Sequence, residues 1–174
     1  MKIRVLGIAL LAFAFAGVAG AQTKISGSAH CAKGDPAYNI DVSDHAGHSM
    51  MLEKAACTWT TPIEIAGIKT KDGVDVRFIE STATKMTSNG THVSTMENGD
   101  KFYVTFHDSA PVKDGKPGDA KGNWSFIGAT GKLKGLKGSG TYVGKFQADG
   151  SVNVDVEGSY AMAPTPAPAT PKTK

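Results

Sequence analysis

The chain has 174 residues, 19 of them basic and 16 acidic, with only 7% aromatic residues and two cysteines. Two of the basic residues, Lys2 and Arg4, lie within the first 21 positions. Without them the charge falls close to neutrality, which removes the basic excess that nucleic-acid binding draws on. No later stretch approaches the roughly 20 apolar residues that a membrane-spanning helix needs.

Residues 1–21 have the layout of a secretory signal peptide. Lys2 and Arg4 form a basic start, an apolar run extends from Val5 to Val18, and Ala19-Gly20-Ala21 is a small-residue cleavage site. Cleavage there leaves Gln22 as the first mature residue and places the protein in the periplasm or outside the cell. His30 stands before Cys31, where a lipoprotein signal needs a small residue. In such a compartment Cys31 and Cys57 are expected to form one disulfide. Closing a loop of that length stabilises by roughly 3–4 kcal/mol on the chain-entropy estimate. A reactive thiol or a metal ligand is the alternative reading of these cysteines.

From residue 22 onward the periodicity is that of strands. The expected strands are 24–32, 49–59, 74–87, 90–96, 100–108, 121–128, 137–147 and 151–161. Val152, Val154, Val156 and Tyr160 alternate with Asn153, Asp155 and Glu157, and Phe102, Val104 and Phe106 alternate in the same way. A period of two marks half-buried strands. Asp72-Gly73, Asn89-Gly90, Asn98-Gly99 and Asp149-Gly150 are dipeptides that accept the positive φ of tight turns. The segments 33–48 and 60–73 are too long for hairpins, and 109–122 is polar and reads as a third loop. Asn89 and Asn123 begin glycosylation-type triplets, a weak signal. The tail 161–174 holds small residues, prolines and lysines after Met162, and is expected to be an extended, disordered appendage. The expected organisation is a signal at 1–21, one barrel domain at 22–160 and the tail.

The segment from Gly122 to Phe146 carries seven glycines. It is not a phosphate loop: Phe126 stands where the first glycine of a P-loop belongs, and Leu133 stands where the hydroxyl residue belongs. Val143 occupies the third glycine position of a dinucleotide fingerprint. Glycine inside strands marks bends and close backbone approach, the devices by which a sheet closes into a barrel. Trp124 and Phe126 share one face, and Tyr142 shares a face with Gly140 and Gly144. Lys132, Lys134 and Lys137 then read as solvated turn residues.

This aromatic strand, the turn Gly128-Ala129-Thr130-Gly131 and the glycine-spaced strand after it resemble the allene oxide cyclase and dirigent type of barrel. The segments Cys57-Thr58-Trp59 and Asn98-Gly99-Asp100 extend the likeness to an uncharacterised, exported bacterial branch. The resemblance implies an all-β fold, a single eight-stranded antiparallel β-barrel of calycin-like architecture. It carries over no catalytic residue.

Two sets of residues suggest chemistry. Phe102, Val104, Phe106, Trp124 and Phe126 are the expected inward set, able either to pack a core or to hold a small apolar or amphipathic ligand. His45, His48 and Met50, joined by His30 through the disulfide, form an imidazole and thioether set suited to copper or zinc. The leading expectation is a non-enzymatic binder of a small hydrophobic molecule with no resident cofactor. A metal binder and an isomerase or cyclase are the alternatives. His92 and His107, the latter beside Asp108, are candidate bases, and Glu64 and Glu80 a candidate acid–base pair. Arg77, the only arginine after Arg4, is expected on a salt-bridged surface; facing inward it would invite an anionic ligand. Oligomeric state is left open.

Overall fold

The computed structural model describes residues 22–163; the signal expected at 1–21 and residues 164–174 of the expected tail lie outside the described residues. It contains strands β1 (Thr23–Cys31), β2 (Ala37–Asp41), β3 (Ser49–Thr61), β4 (Glu64–Ile65), β5 (Ile68–Ser81) and β6 (Lys85–Met96). These are followed by β7 (Lys101–Lys113), β8 (Lys116–Pro117), β9 (Ala120–Ala129), β10 (Leu136–Phe146) and β11 (Val152–Met162). One short 3-10 turn, Gly131–Leu133, precedes β10.

Eight of these strands close a ring. Its order is β1, β3, β5, β6, β7, β9, β10, β11 and back to β1, with every neighbour antiparallel. The expected eight-stranded barrel is therefore present. β2 continues the line of β1 along β3, and β4 and β8 are short hairpin arms.

Several boundaries differ from the sequence reading, for one physical reason. Asp72-Gly73 and Asn89-Gly90 were expected to turn, but both lie inside strands. Gly73 faces Cys57 and Ser94, and Gly90 faces Arg77 and Phe106. There the glycines make room rather than bend the chain. A Cβ on Gly90 would lie 2.7 Å from the Phe106 ring, and one on Gly73 would lie 2.4 Å from the His92 ring. The expected loops also hold more structure than their composition suggests. β2 lies within 33–48 and β4 within 60–73, while β7 and β9 extend into 109–122. β11 runs to Met162, pairing with Leu136, so the barrel takes in the first residues assigned to the tail. Asn98-Gly99 and Asp149-Gly150 do turn, with φ of +86° and +85° at the glycines.

The Asn98-Gly99-Asp100 hairpin and the glycine run touch. The Asp100 carboxylate accepts the backbone N–H of Lys132 at 3.0 Å and the Asn98 amide at 2.9 Å, which holds its pKa below the ordinary value. Gly131, at φ +52°, packs so closely on this carboxylate that a side chain there would overlap it. A carboxylate, not a phosphate, occupies the nest.

Inside the ring the side chains form layers. One end is sealed by Ile63, Ile65, Met96, Leu133 and Leu136, none more than 3% exposed. The other holds a smaller apolar group of Ile79, Met86, Ala110 and Ala120, with Met51, Val112 and Phe146 against it. Cys31 and Cys57 are directly opposed on β1 and β3, buried and disulfide-bonded as expected.

Candidate functional site

β6 shows why the middle of the barrel is polar. Its inward positions run Met86, Ser88, Gly90, His92, Ser94, Met96, with methionine at each end and polar residues between. β5 supplies Asp75 and Arg77, β7 supplies Asp108, and β10 supplies Tyr142. All but Ser94 and Met96 of the larger side chains named here line a single cavity of about 100 Å³. Its wall is otherwise apolar, and Phe102, Val104, Phe106, Trp124 and Phe126 all contribute to it. The five residues expected to face inward do so, and each is buried.

Three interactions organise the polar groups. Arg77 donates from Nε to Glu53 at 2.6 Å, and its Nη2 lies 2.5 Å from the same carboxylate oxygen. Arg77 therefore faces inward, not onto a salt-bridged surface, but Glu53 neutralises it. His92 Nδ1 lies 2.6 Å from Asp75 Oδ1, and the imidazole meets the Trp59 ring edge to face. Asp108 Oδ2 accepts from Ser88 Oγ at 2.5 Å and from the Tyr142 hydroxyl. Burial, followed by the nearby Asp108 charge, pushes the Tyr142 pKa well above the ordinary phenol value, so the hydroxyl stays protonated and donates. Among the described residues, two buried side-chain atoms have no protein partner: His92 Nε2 and Asp108 Oδ1.

The other candidates separate. His107 is exposed on the outer face beside the buried Asp108, as the alternation of β7 requires. Glu64 and Glu80 are on different arms of the structure; Glu80 contacts His48. His30 is exposed and hydrogen-bonds Asn153 at 2.9 Å. It pairs with Thr58, far along β3 from His48, a separation of roughly 30 Å at about 3.3 Å per residue. Met50 lies opposite Ile40 and Glu80 at the near end of β3. His45 and His48 stack with ring centroids 4.7 Å apart, and with Asp44 they bring three donor atoms within 4.8 Å. Both His48 nitrogens already face carboxylates, Nδ1 to Asp44 at 2.7 Å and Nε2 to Glu80 at 3.1 Å. The arrangement is that of an ion-paired latch holding the loop before β3 to β5.

The latch has a defined pH window. The hydrogen bond His48 donates to Asp44 raises the His48 pKa above 6.5, and the same bond lowers that of Asp44 below 3.8. The imidazole contribution is complete below about pH 6.5 and is lost as pH rises through the raised value. The carboxylate contribution is complete above about pH 4 and is lost as pH falls through the lowered value. Asp44→Asn is expected to bring the His48 pKa down toward 6.5, followed by the ring-proton shifts in NMR; a titration unchanged by the substitution rules the latch out.

Sequence reasoning missed Glu53, Asp75, Ser88 and Tyr142 as members of the site. Strand parity carried the signal: Glu53 lies two positions from the buried Ala55, Ser88 lies two from Met86, and Asp75 and Arg77 share the face of Ile79.

No family model matches the chain, and no curated protein matches it. Solved structures similar to it include a protein of unknown function from the DUF3224 family of Shewanella oneidensis, at 13% identity and a TM-score of 0.49, covering 83% of this chain and 100% of that one. Another is the pterocarpan synthase dirigent protein GePTS1, at 12% identity and a TM-score of 0.44, covering 92% of this chain and 98% of that one. At these scores neither likeness bears on function, and the barrel assignment rests on the strand pairing.

Proposed function

We propose that this is an exported barrel protein that binds one small amphipathic molecule in its interior. The observation that carries this reading is the interior cavity of about 100 Å³, apolar along most of its wall, into which a few polar groups converge. Small-molecule sites have this composition: apolar walls for affinity and few polar groups for orientation. A purely structural core would fill the space with side chains, since interiors are packed close to crystal density. An apolar cavity of roughly 150 Å³ accommodates benzene, so this smaller space bounds the ligand at no more than about one ring. Export is supported by the leader at 1–21 and by the buried disulfide, which persists in oxidising compartments.

Native mass spectrometry of protein purified without detergent, together with titration of a small fluorescent apolar probe, tests the proposal. Bound probe should be displaced when the cavity is filled. Val154 lines the cavity and is half-buried, so Val154→Phe places a ring in the space. We expect at least tenfold weaker probe binding with the fold retained by circular dichroism. Probe binding that is absent in the native protein, or unaffected by Val154→Phe, removes the reading.

A further inference from the structure

Two carboxylates line the cavity: Asp75, paired with His92, and Asp108, bound only by two neutral hydroxyls, from Ser88 and Tyr142. Glu53, which is not part of the wall, holds Arg77. Asp108 is 4% exposed and is the member of this set with no cationic partner. A buried carboxylate without a counter-charge is costly unless its lone pairs are all met. Oδ2 accepts both hydroxyls, while Oδ1 accepts nothing from the protein.

The second orphaned atom has the same polarity. His92 Nδ1 is committed to the Asp75 carboxylate, so in the neutral ring Nε2 carries the lone pair. Asp108 Oδ1 therefore accepts and cannot donate, and His92 Nε2 does the same while its ring is neutral. An incoming carboxylate would face the two acidic groups of the wall, and the one fixed positive charge, Arg77, is already held by Glu53. An incoming hydrogen-bond donor meets prepared acceptors. If that donor is an ammonium, it also supplies the charge that Asp108 lacks. The carboxylate has already been desolvated by folding, so binding need not strip it of water again.

We propose, building on the interior-binding reading above, that the cavity selects small apolar molecules bearing an amine, whose ammonium group pairs with Asp108 Oδ1, and that it rejects carboxylates.

Four probes of nearly one shape test this: benzylamine, benzyl alcohol, toluene and benzoate. Each is titrated into the full mature chain near neutral pH and followed by the ring-proton shifts of His92. Benzylamine is expected to bind at least about tenfold more tightly than toluene, benzyl alcohol between them, and benzoate weakest, since hydrogen bonds to charged groups exceed neutral ones. Asp108→Asn keeps the shape but removes the charge, and should bring benzylamine to within about threefold of benzyl alcohol. Benzoate binding as well as benzylamine, or toluene equalling it, overturns the amine selectivity while leaving interior binding standing. Failure of all four probes overturns interior binding itself. Benzylamine affinity unchanged by Asp108→Asn removes Asp108 as the recognising group. The native-protein series is decisive alone should the variant not fold.

Discussion

Trp124→Ala is expected to destabilise the barrel by about 3–5 kcal/mol, the range for removing a large buried aromatic side chain. Three features of the site place it there. The indole is 6% exposed and packs edge to face on Phe126, with ring centroids 4.9 Å apart. Its N–H points at the backbone carbonyls of Thr141 and Glu157, at 3.3 and 3.2 Å. Its six-membered ring lies over the backbone of β11, where a Cβ on Gly158 would be only 2.4 Å away. The register explains the arrangement: Trp124, Gly140 and Gly158 follow one another across β9, β10 and β11. Two bare backbones in one row leave a trough wide enough for the ring. Gly158→Ala should therefore cost about 1–3 kcal/mol by overpacking. In the Trp124→Ala background the added methyl loses its worst clash, although its 2.6 Å approach to the Ser139 carbonyl remains. The two substitutions should fall short of additivity by about 1 kcal/mol or more in urea denaturation. Full additivity, or a Trp124→Ala loss below about 1 kcal/mol, would show that the ring is not seated in the glycine trough.

That trough is also why the fold could be read from sequence. Glycines spaced by two beside large rings make sense in a sheet whose backbones need covering, and the absence of a hydroxyl after Gly131-Lys132 removed the phosphate alternative. The alternation of Val152, Val154 and Val156 and of Phe102, Val104 and Phe106 placed the inward faces correctly. What failed were two of the four turns read from dipeptides. Asn89-Gly90 has ideal turn chemistry, yet Gly90 is needed under the Phe106 ring, and a tertiary contact outweighed the local preference. The polar cluster was illegible for a different reason. A charged residue at an inward position looks the same in sequence as one at an outward position unless strand parity is known, and parity in β5 and β6 could not be set while their turn was misplaced. The His30 expectation failed on distance along a strand. A disulfide fixes two residues, but His48 lies at the opposite end of β3 from the half-cystine.

Breaking the Glu53–Arg77 pair from one side should be as damaging as losing Trp124. The two face each other across β3 and β5, with side chains 7% and 13% exposed. Arg77→Met leaves Glu53 charged, enclosed and without its donor, and loss of one partner of a buried pair costs about 3–5 kcal/mol. Replacing both, as Glu53→Leu with Arg77→Met, removes the charges together with the desolvation they demand, so most of that loss should be recovered. The contrast between single and double variants in urea denaturation is the measurement, and equal losses in the two would mean that the ion pair is not what the single variant disrupts. The outcome also bears on what the cavity admits. If the arginine serves its glutamate and not a ligand, the double variant keeps its ordering of benzylamine over benzoate, because the charge that sets that ordering belongs to Asp108. If benzoate binding instead falls away only when Arg77 is removed, the guanidinium is exchanging partners with the ligand, and the interior is a receptor for anions.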